Sequence, residues 1–404
     1  MEFILQKFGG TSVQTKNYRL NCIKKIKESI SNGDKVIVVI SAIGRKNDPY
    51  STDELLSLIS KDFRDNNSIY VDKLISCGEI ISSIVFASEL QENNVNALPL
   101  IGQDIGIITD DNYGNAKILD IDTTNIEKML EENIVPVIAG FQGVTLNGNI
   151  TTLGRGGSDI SAVRLASVLK CNRVEFYKDV DGLMTADPKL VSNAKSIDEI
   201  SYEELFELSI YGNNIIHREA VKAAMDDNIP ITIKNTFNSF KGTTINNTIS
   251  INDDSFKGIT YLKKCMQIKI YKKNNFENEN YYKVFQEISS KKINIDFINI
   301  FVNHKVFTIN EDNFEEIIEI LEKYNLKYEI IYDCSKIVIV KSNLKNVSIV
   351  MASIIELLHR EEIEVLQTNH SDMSIWILVK NVDLEKSLNI LHNNFFMEKK
   401  WQVY

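Results

Sequence analysis

Short apolar runs alternate along the first 250 residues with longer stretches whose apolar positions recur at helical spacing, a pattern that predicts parallel strands joined by crossover helices. "FILQKF" (3–8) runs into "GGTSV", and a helix follows in which Cys22, Ile23, Ile26 and Ile30 share one face before Gly33 ends it. "KVIVVIS" (35–41) predicts a buried strand, and "STDELLSLIS" (51–60) sets Ser, Thr and Asp before apolar residues, a helix-start signature. A long helical stretch covers about Ser68 to Gln91. "IVPVIAGF" (134–141) is the strand expected to feed "TTLGRGGSD" (151–159); Ala162, Leu165, Ala166 and Leu169 then fall at helical spacing, which places Ser158 or Asp159 to cap that helix. "VEFY" (174–177) and "IPITIKNT" (229–236) predict further strands.

From about residue 265 the elements shorten and glycine nearly disappears. "MQIKIYK", "YYKVFQEISSK", "IDFINIFV", "KVFTIN", "FEEIIEILEKY" and "YEIIYD" read strand, helix, strand, strand, helix, strand. The order starts again with "KIVIVKS", "VSIVMASIIELLH", "IEVLQTN", "MSIWILV" and "LEKSLNILHNNF", so two βαββαβ units follow one another, the second truncated at its end. The expected organisation is an α/β domain over 1–250, a linker over 251–264 with the joint near "INDDSFKG" (251–258), and α+β modules over 265–334 and 335–404.

Charge narrows the partners. With 45 Lys and Arg against 55 Asp and Glu, the formal charge of −10 disfavours nucleic acid or an anionic membrane as the main partner and leaves room for a small ligand in a locally basic pocket. The longest apolar runs, such as 36–43, are too short to span a bilayer, and "MEFILQKFGG" is no secretory leader, so a cytoplasmic location is expected. Cys22, Cys77, Cys171, Cys265 and Cys334 are odd in number, widely spaced and without a CxxC pair, which argues for free thiols and against a thiolate metal site.

The sequence holds no G-x-x-x-x-G-K-[ST] loop, no H-E-x-x-H and no G-x-S-x-G elbow. Candidate chemistry lies in two glycine- and hydroxyl-rich turns, "KFGGTSV" (7–13) and "TTLGRGGSD", where backbone N–H groups and a helix N-terminus can meet an oxyanion. Lys7 sits where polyphosphate charge would lie, or is a solvated edge lysine. Arg155 offers a bidentate fork for a carboxylate, or a surface ion pair. Asp159 is either a helix cap or part of the chemistry, and Glu79 in "CGEIISS" reads on its own as a solvated helix-face carboxylate. His217, the one histidine in the first 250 residues, reads as structural. A kinase acting on a carboxylate needs no base, because that nucleophile is already ionised at neutral pH; it needs cations and dipoles that let two anions meet.

"KFGGTSV", "STDELL", "TTLGRGGSD", "DVDGLMTADP" and "KNTFN", in this order, resemble the aspartate kinases over essentially the whole chain. The resemblance implies an amino-acid kinase fold, a parallel-sheet sandwich with helices on both faces, followed by two ACT modules. It implies transfer of the γ-phosphoryl of MgATP to the β-carboxylate of L-aspartate, giving 4-phospho-L-aspartate for lysine, threonine and methionine synthesis, with Mg²⁺ carried by the ATP phosphates and water. Carried over to this sequence, Lys7 stabilises the transferred phosphoryl group and Asp159 organises the centre. Thr52, Glu79, Phe141, Arg155 and Ser158 fall on the aspartate side, with Arg155 on its α-carboxylate and Glu79 facing its α-amino group. Lys7, Gly9, Gly10, Thr11, Ser41, Lys178, Asp179, Met184, Lys189, Lys234 and Asn235 fall on the nucleotide. A homodimer through the ACT modules and an amino-acid effector bound there are further implications.

Several positions depart from the family pattern. Met184 stands where many members carry an aromatic residue, Lys189 where arginine is common, and Arg218 where proline usually follows the histidine. The loop "GRKNDPYSTDEL" is longer than common forms. "YKKNNFENENYY" (271–282) replaces the D-x-P-G turn that opens the effector pocket, although "INIDFIN" (293–299) is retained, so no effector is assigned. Two other functions compete: an amino-acid kinase acting on glutamate or N-acetylglutamate, and a catalytically silent amino-acid sensor.

Overall fold

The computed structural model describes residues 2–210, 212, 215–247, 255–271, 278–342, 344 and 346–397. They fall into two compact units, Met1–Leu183 with Ser196–Ser209 and Asn214–Ile251, and Met184–Lys195 with Ile210–Asn213 and Asn252–Tyr404. The expected 1–250 domain therefore gives up two short segments to the second unit.

The first unit contains β1 (Phe3–Phe8), β2 (Lys35–Ile40), β3 (Ala97–Leu100), β4 (Ile107–Thr109), β5 (Ile118–Ile121), β6 (Val135–Ala139), β7 (Gln142–Thr145), β8 (Ile150–Thr152), β9 (Arg173–Lys178), β10 (Glu199–Ile200), β11 (Ile231–Asn235) and β12 (Thr243–Ile245). Its helices include α1 (Lys16–Ser31), α2 (Thr52–Ser57), α3 (Lys61–Asn66), α4 (Ser68–Glu92), α5 (Thr124–Glu131), α6 (Gly157–Val168), α7 (Tyr202–Ile210) and α8 (Arg218–Asp227). The main sheet runs β10-β12-β11-β9-β1-β2-β6-β3, parallel from β11 through β3.

β1 is buried from Ile4 to Phe8, as a central strand covered on both faces must be. On one face Phe8, Val38 and Val137 pack against Cys22, Ile26, Phe86 and Leu90, which brings α1 and α4 onto the sheet. Thr15 accepts from Tyr18 N at 3.2 Å to start α1.

A second sheet, β5-β4-β7-β8, corrects one expectation. Residues 134–141 do not lead directly into the glycine turn: the β7–β8 hairpin intervenes, Gln142 opposite Thr152, and β8 delivers the turn.

In the second unit, β13 (Phe256–Tyr271), β14 (Asp296–Ile300), β15 (His304–Asn310), β16 (Lys327–Lys341), β17 (Gln367–His370) and β18 (Ser374–Lys380) form one sheet in the order β14-β15-β13-β16-β18-β17. It carries α9 (Asn278–Ser290), α10 (Phe314–Lys323), α11 (Val347–Arg360) and α12 (Leu384–His392). The linker expected over 251–264 is corrected from residue 256 onward, where the chain is strand; 251–254 lie outside the described residues, as do 272–277 of the stretch replacing the D-x-P-G turn.

Likewise the expected break at 334/335 falls inside the continuous strand β16. Gly258 to Leu262 pair with Val340 to Lys336, while Gln267 to Tyr271 pair with Ile331 to Lys327; the register shifts on both sides of the Cys265–Cys334 pair. The upstream half of β13 thus supplies the strand that the truncated second repeat lacks. Each half has its own core, Met266, Ile268, Phe307, Ile317 and Leu321 in one, Ile259, Ile337, Ile339, Ile354, Ile377 and Leu388 in the other. Among the described residues no helix is long and apolar enough to cross a membrane.

Candidate active site

The C-terminal ends of β1, β2 and β9 meet where glycine turns begin, the place in a parallel sheet where ligands bind. Lys7 of β1 is in register with Val39 of β2 and Phe176 of β9. It is 4% exposed, and its ammonium lies 2.6 Å from Asp159 Oδ1. Lys178, the last residue of β9, approaches the other oxygen at 3.7 Å. Burial raises the Asp159 pKa, but Lys178 and Lys7 outweigh it and hold the carboxyl at about 2. Burial, with help from the like charge of Lys7, pulls Lys178 down to about 8 against the opposing pull of Asp159. Two ammoniums around one carboxylate leave this buried cluster net positive.

Asp159 does not cap α6. Gly156 occupies the N-cap at φ 72° with no side-chain cap, and Asp159 N donates to Gly156 O at 2.8 Å, so the expected capping role of Ser158 or Asp159 is corrected. A side chain at Gly156 would need a left-handed backbone and would place its Cβ 2.3 Å from the His217 ring. His217 N in turn donates to Asp159 Oδ2 at 3.4 Å, and the ring is half-buried against the turn. The bare backbone of the turn therefore lets His217 close over it while Asp159 faces the lysines.

Arg155 stands exposed beside this turn, with no ion pair among the described residues. Ser158 is buried. Phe141 takes a left-handed backbone (φ 71°), uncommon for an aromatic residue; its N–H donates to Ser161 Oγ at 3.1 Å and its carbonyl accepts from Leu153 N at 2.9 Å.

Glu79 is not on a solvated helix face. It is 3% exposed, its Oε1 accepts from Ala42 N just past β2 at 3.0 Å, and its Oε2 has no hydrogen-bond partner among the described residues. Burial pushes its pKa up to about 8, with Ala42 N–H and Lys7 pulling the other way. A buried carboxyl with one unspoken-for oxygen can take an ammonium. Thr52 is half-buried at the start of α2, after the Ser51 N-cap, which accepts from Glu54 N at 3.4 Å.

Residues 2–235 match the amino acid kinase family and residues 329–393 match an ACT domain. Aspartokinase 1 of Bacillus subtilis is 37% identical over 99% of this chain and 100% of its own. The chain belongs to the aspartokinases. The aspartate kinase of Clostridium acetobutylicum has the same architecture, with a TM-score of 0.77 at 25% identity over 98% of this chain and 100% of its own. So does aspartokinase III of E. coli, solved with aspartate and ADP in an R-state and with lysine and aspartate in a T-state, at TM-scores of 0.76 and 0.77, 22% and 23% identity, and 98% and 100% coverage of the two chains in each case.

This aspartokinase arranges the remaining expected residues unevenly. Gly10 lets the β1 turn press on the next loop, since a Cβ there would stand 2.4 Å from Gly44 O. Gly9 lies beside the ends of Lys7 and Lys178, and its N–H makes a long 3.4 Å bond to Tyr177 O. Thr11 follows in the short turn Gly10–Val13, and Ser41 N donates to Phe8 O at 3.2 Å. Asp179 is exposed beyond Lys178.

The Lys234 ammonium is turned away from the lysine cluster, whereas Asn235 is in register with Lys178 on the neighbouring strand. The Lys234 ammonium lies 2.6 Å from the buried Glu175, which also accepts from Arg173, Gln6 and Tyr177, and Asn235 donates to Asp181 at 2.7 Å. Met184 and Lys189 belong to the second unit, where Ala186 and Val191 of the same segment join the core beneath α12 and Thr185 O accepts from Ile259 N at 2.7 Å.

One residue of this aspartokinase site went unsignalled. Asp72, 1% exposed on α4, accepts from Thr152 N at 2.7 Å, Thr152 Oγ1 at 2.9 Å and Gly114 N at 2.9 Å. It fastens the strand that delivers Arg155 to the same helix that carries Glu79. In "SIYVDKLIS" nothing distinguishes it from a surface acid except its place between apolar neighbours.

Proposed function

We infer that this chain transfers the γ-phosphoryl of ATP to the β-carboxylate of L-aspartate, giving 4-phospho-L-aspartate. The observation that carries this reading is the Lys7–Asp159–Lys178 cluster at the strand ends, largely buried, net positive and bordered by the two glycine turns. A carboxylate nucleophile and a triphosphate repel one another, so the protein must supply positive charge that is already oriented. Lys7 and Lys178 supply it, and Asp159 keeps both ammoniums aimed at the same point. No general base is required, because the β-carboxylate of aspartate is ionised at neutral pH.

The acceptor side has a complementary set. Arg155 presents a guanidinium to the α-carboxylate, and the free oxygen of Glu79 faces the α-ammonium; arrival of that cation favours the ionised form of Glu79. Thr52, Phe141 and Ser158 complete the acceptor wall. Gly9, Gly10, Thr11, Ser41, Lys178, Asp179 and Asn235 border the nucleotide, and Met184, Lys189 and Lys234 are proposed contacts on the strength of the family pattern. Mg²⁺ is proposed to arrive as MgATP, held by phosphates and water, because Asp159 is already committed to two lysines.

A homodimer through the ACT modules fits the exposed edge strand β14, where Ile300 is 69% and Val302 just beyond it 88% exposed. Aspartokinase III of E. coli has been solved with lysine, which supports an amino-acid effector bound at the ACT modules of this chain. The deciding experiment is ADP release coupled to NADH oxidation with MgATP and a panel of aspartate, glutamate and N-acetylglutamate. Turnover with aspartate alone is expected; turnover with glutamate or N-acetylglutamate in its place would transfer the reading to another acceptor. ATP binding without any turnover would make the chain a sensor.

A further inference from the structure

We propose that Arg45 is a further phosphate-binding residue of this site, reaching across the end of β1 to the polyphosphate of the nucleotide. The loop after β2 is fastened to the first glycine turn, since Gly44 N donates to Gly10 O at 3.0 Å. Its next four residues are held in one shape. Asp48 Oδ2 accepts from Arg45 N at 2.7 Å, Asp48 N donates to Arg45 O at 2.8 Å, and both Asp48 oxygens accept from Gln14 Nε2 at 3.2 and 3.0 Å. Asn47 adopts φ 78°, and its N–H donates to Glu54 Oε1 at 2.8 Å.

The backbone of Arg45 is thus fixed, while its side chain is 72% exposed and aims at Asp179, 3.8 Å away. In the sheet β1 lies between β2 and β9, so a side chain running from the β2 loop to the residue after Lys178 passes over the end of the strand that carries Lys7 and leads into Gly9. An exposed pair at 3.8 Å is weak and leaves the guanidinium available. A triphosphate entering between Lys7, Lys178 and the glycine turn offers it a stronger, bidentate partner. Arg45 would then close the nucleotide side from above, and Asp179 would hold it near that position when no nucleotide is bound.

The proposal rests on the reading of the chain as an ATP-dependent kinase, and its test keeps the two apart. Full-length Arg45→Ala and Arg45→Lys are compared with the unaltered protein for ADP affinity by calorimetry, for KM of MgATP and of aspartate, and for melting temperature. Arg45→Ala is expected to weaken ADP binding and raise the KM for MgATP by roughly ten-fold, with Arg45→Lys recovering part of the loss and the KM for aspartate and the melting temperature little changed. Unchanged ADP affinity in Arg45→Ala would overturn the proposal. So would equal losses for MgATP and aspartate, which would mark Arg45 as a structural part of its loop. Absence of aspartate-dependent turnover in the unaltered protein would defeat the kinase reading instead, and the ADP arm would still decide for or against Arg45.

Discussion

In the proposed site Lys7, Asp159 and Glu79 are buried and Arg155 is exposed. Lys7 and Asp159 sit deep and paired, so the proposed role of Lys7 is to act when charge moves to the transferring phosphoryl group. Lys7→Ala is expected to lower kcat by on the order of 10² to 10³ while changing the KM for aspartate little, read by steady-state kinetics. Arg155, exposed and uncommitted, should chiefly affect binding: Arg155→Ala is expected to raise the KM for aspartate by ~10- to 100-fold. Glu79 gives a pH signature. Its folded-state pKa lies far above the ordinary glutamate value of about 4.5, at about 8, so the stability it contributes is full below about pH 4.5 and is lost as pH rises through 8. Glu79→Gln removes that loss. Its melting temperature is therefore expected to gain on the unaltered protein between pH 5 and 8.5, by thermal melts across that range, even as aspartate turnover collapses; a gap independent of pH would contradict the burial argument. The sequence displayed all four residues but not their burial, which is why Glu79 read there as a solvated carboxylate and Asp159 as an undecided cap.

At the scale of elements, the turn before α6 is legible in outline and illegible in detail. Helical spacing from Ala162 onward located the helix, yet which residue caps it depended on a left-handed Gly156 and on His217, a neighbour far along the chain. The β7–β8 hairpin was hidden because its strands are short and the run "IVPVIAGF" seemed to lead straight on. Asp72 was invisible for a related reason: its partners, Gly114 and Thr152, are distant in sequence. Its role makes a prediction about an element. Asp72→Ala leaves the buried N–H and hydroxyl of Thr152 unpaired, a cost of about 1–3 kcal/mol for each group left unsatisfied, and releases the N–H of the exposed Gly114 to water. It should also loosen the strand that presents Arg155. The KM for aspartate is expected to rise with the KM for MgATP nearly unchanged, provided assays are run well below the lowered melting temperature. Equal changes in both KM values would mean that Asp72 supports the fold and not the acceptor side.

For the molecule as a whole, the parallel α/β order and the ACT-like repeat were both legible, because their periodicities are local. Their boundaries were not. "FKGITYL" carries little pattern of its own, and its partner strand lies more than seventy residues downstream, from Lys336 to Val340, so a strand looked like a linker. The edge strand β14 bears on assembly. Ile300→Lys is expected to shift the proposed homodimer toward monomer, measured by light scattering after size exclusion, because a charge on an exposed edge opposes pairing with a second copy.

The opposition of Cys265 and Cys334 has a consequence for how such a chain can be cut and rejoined. Directly facing residues on antiparallel strands stand only about 5 Å apart at their Cα atoms, so the polypeptide leaves the sheet of one module and re-enters it at the same doorway. Residues 265–334 are a parenthesis in the sentence of their host: removed and replaced by a tight hairpin between Lys264 and Ser335, they would leave the surrounding strands in register. A whole module can be inserted or deleted here in one step, at a single point of the sheet that receives it.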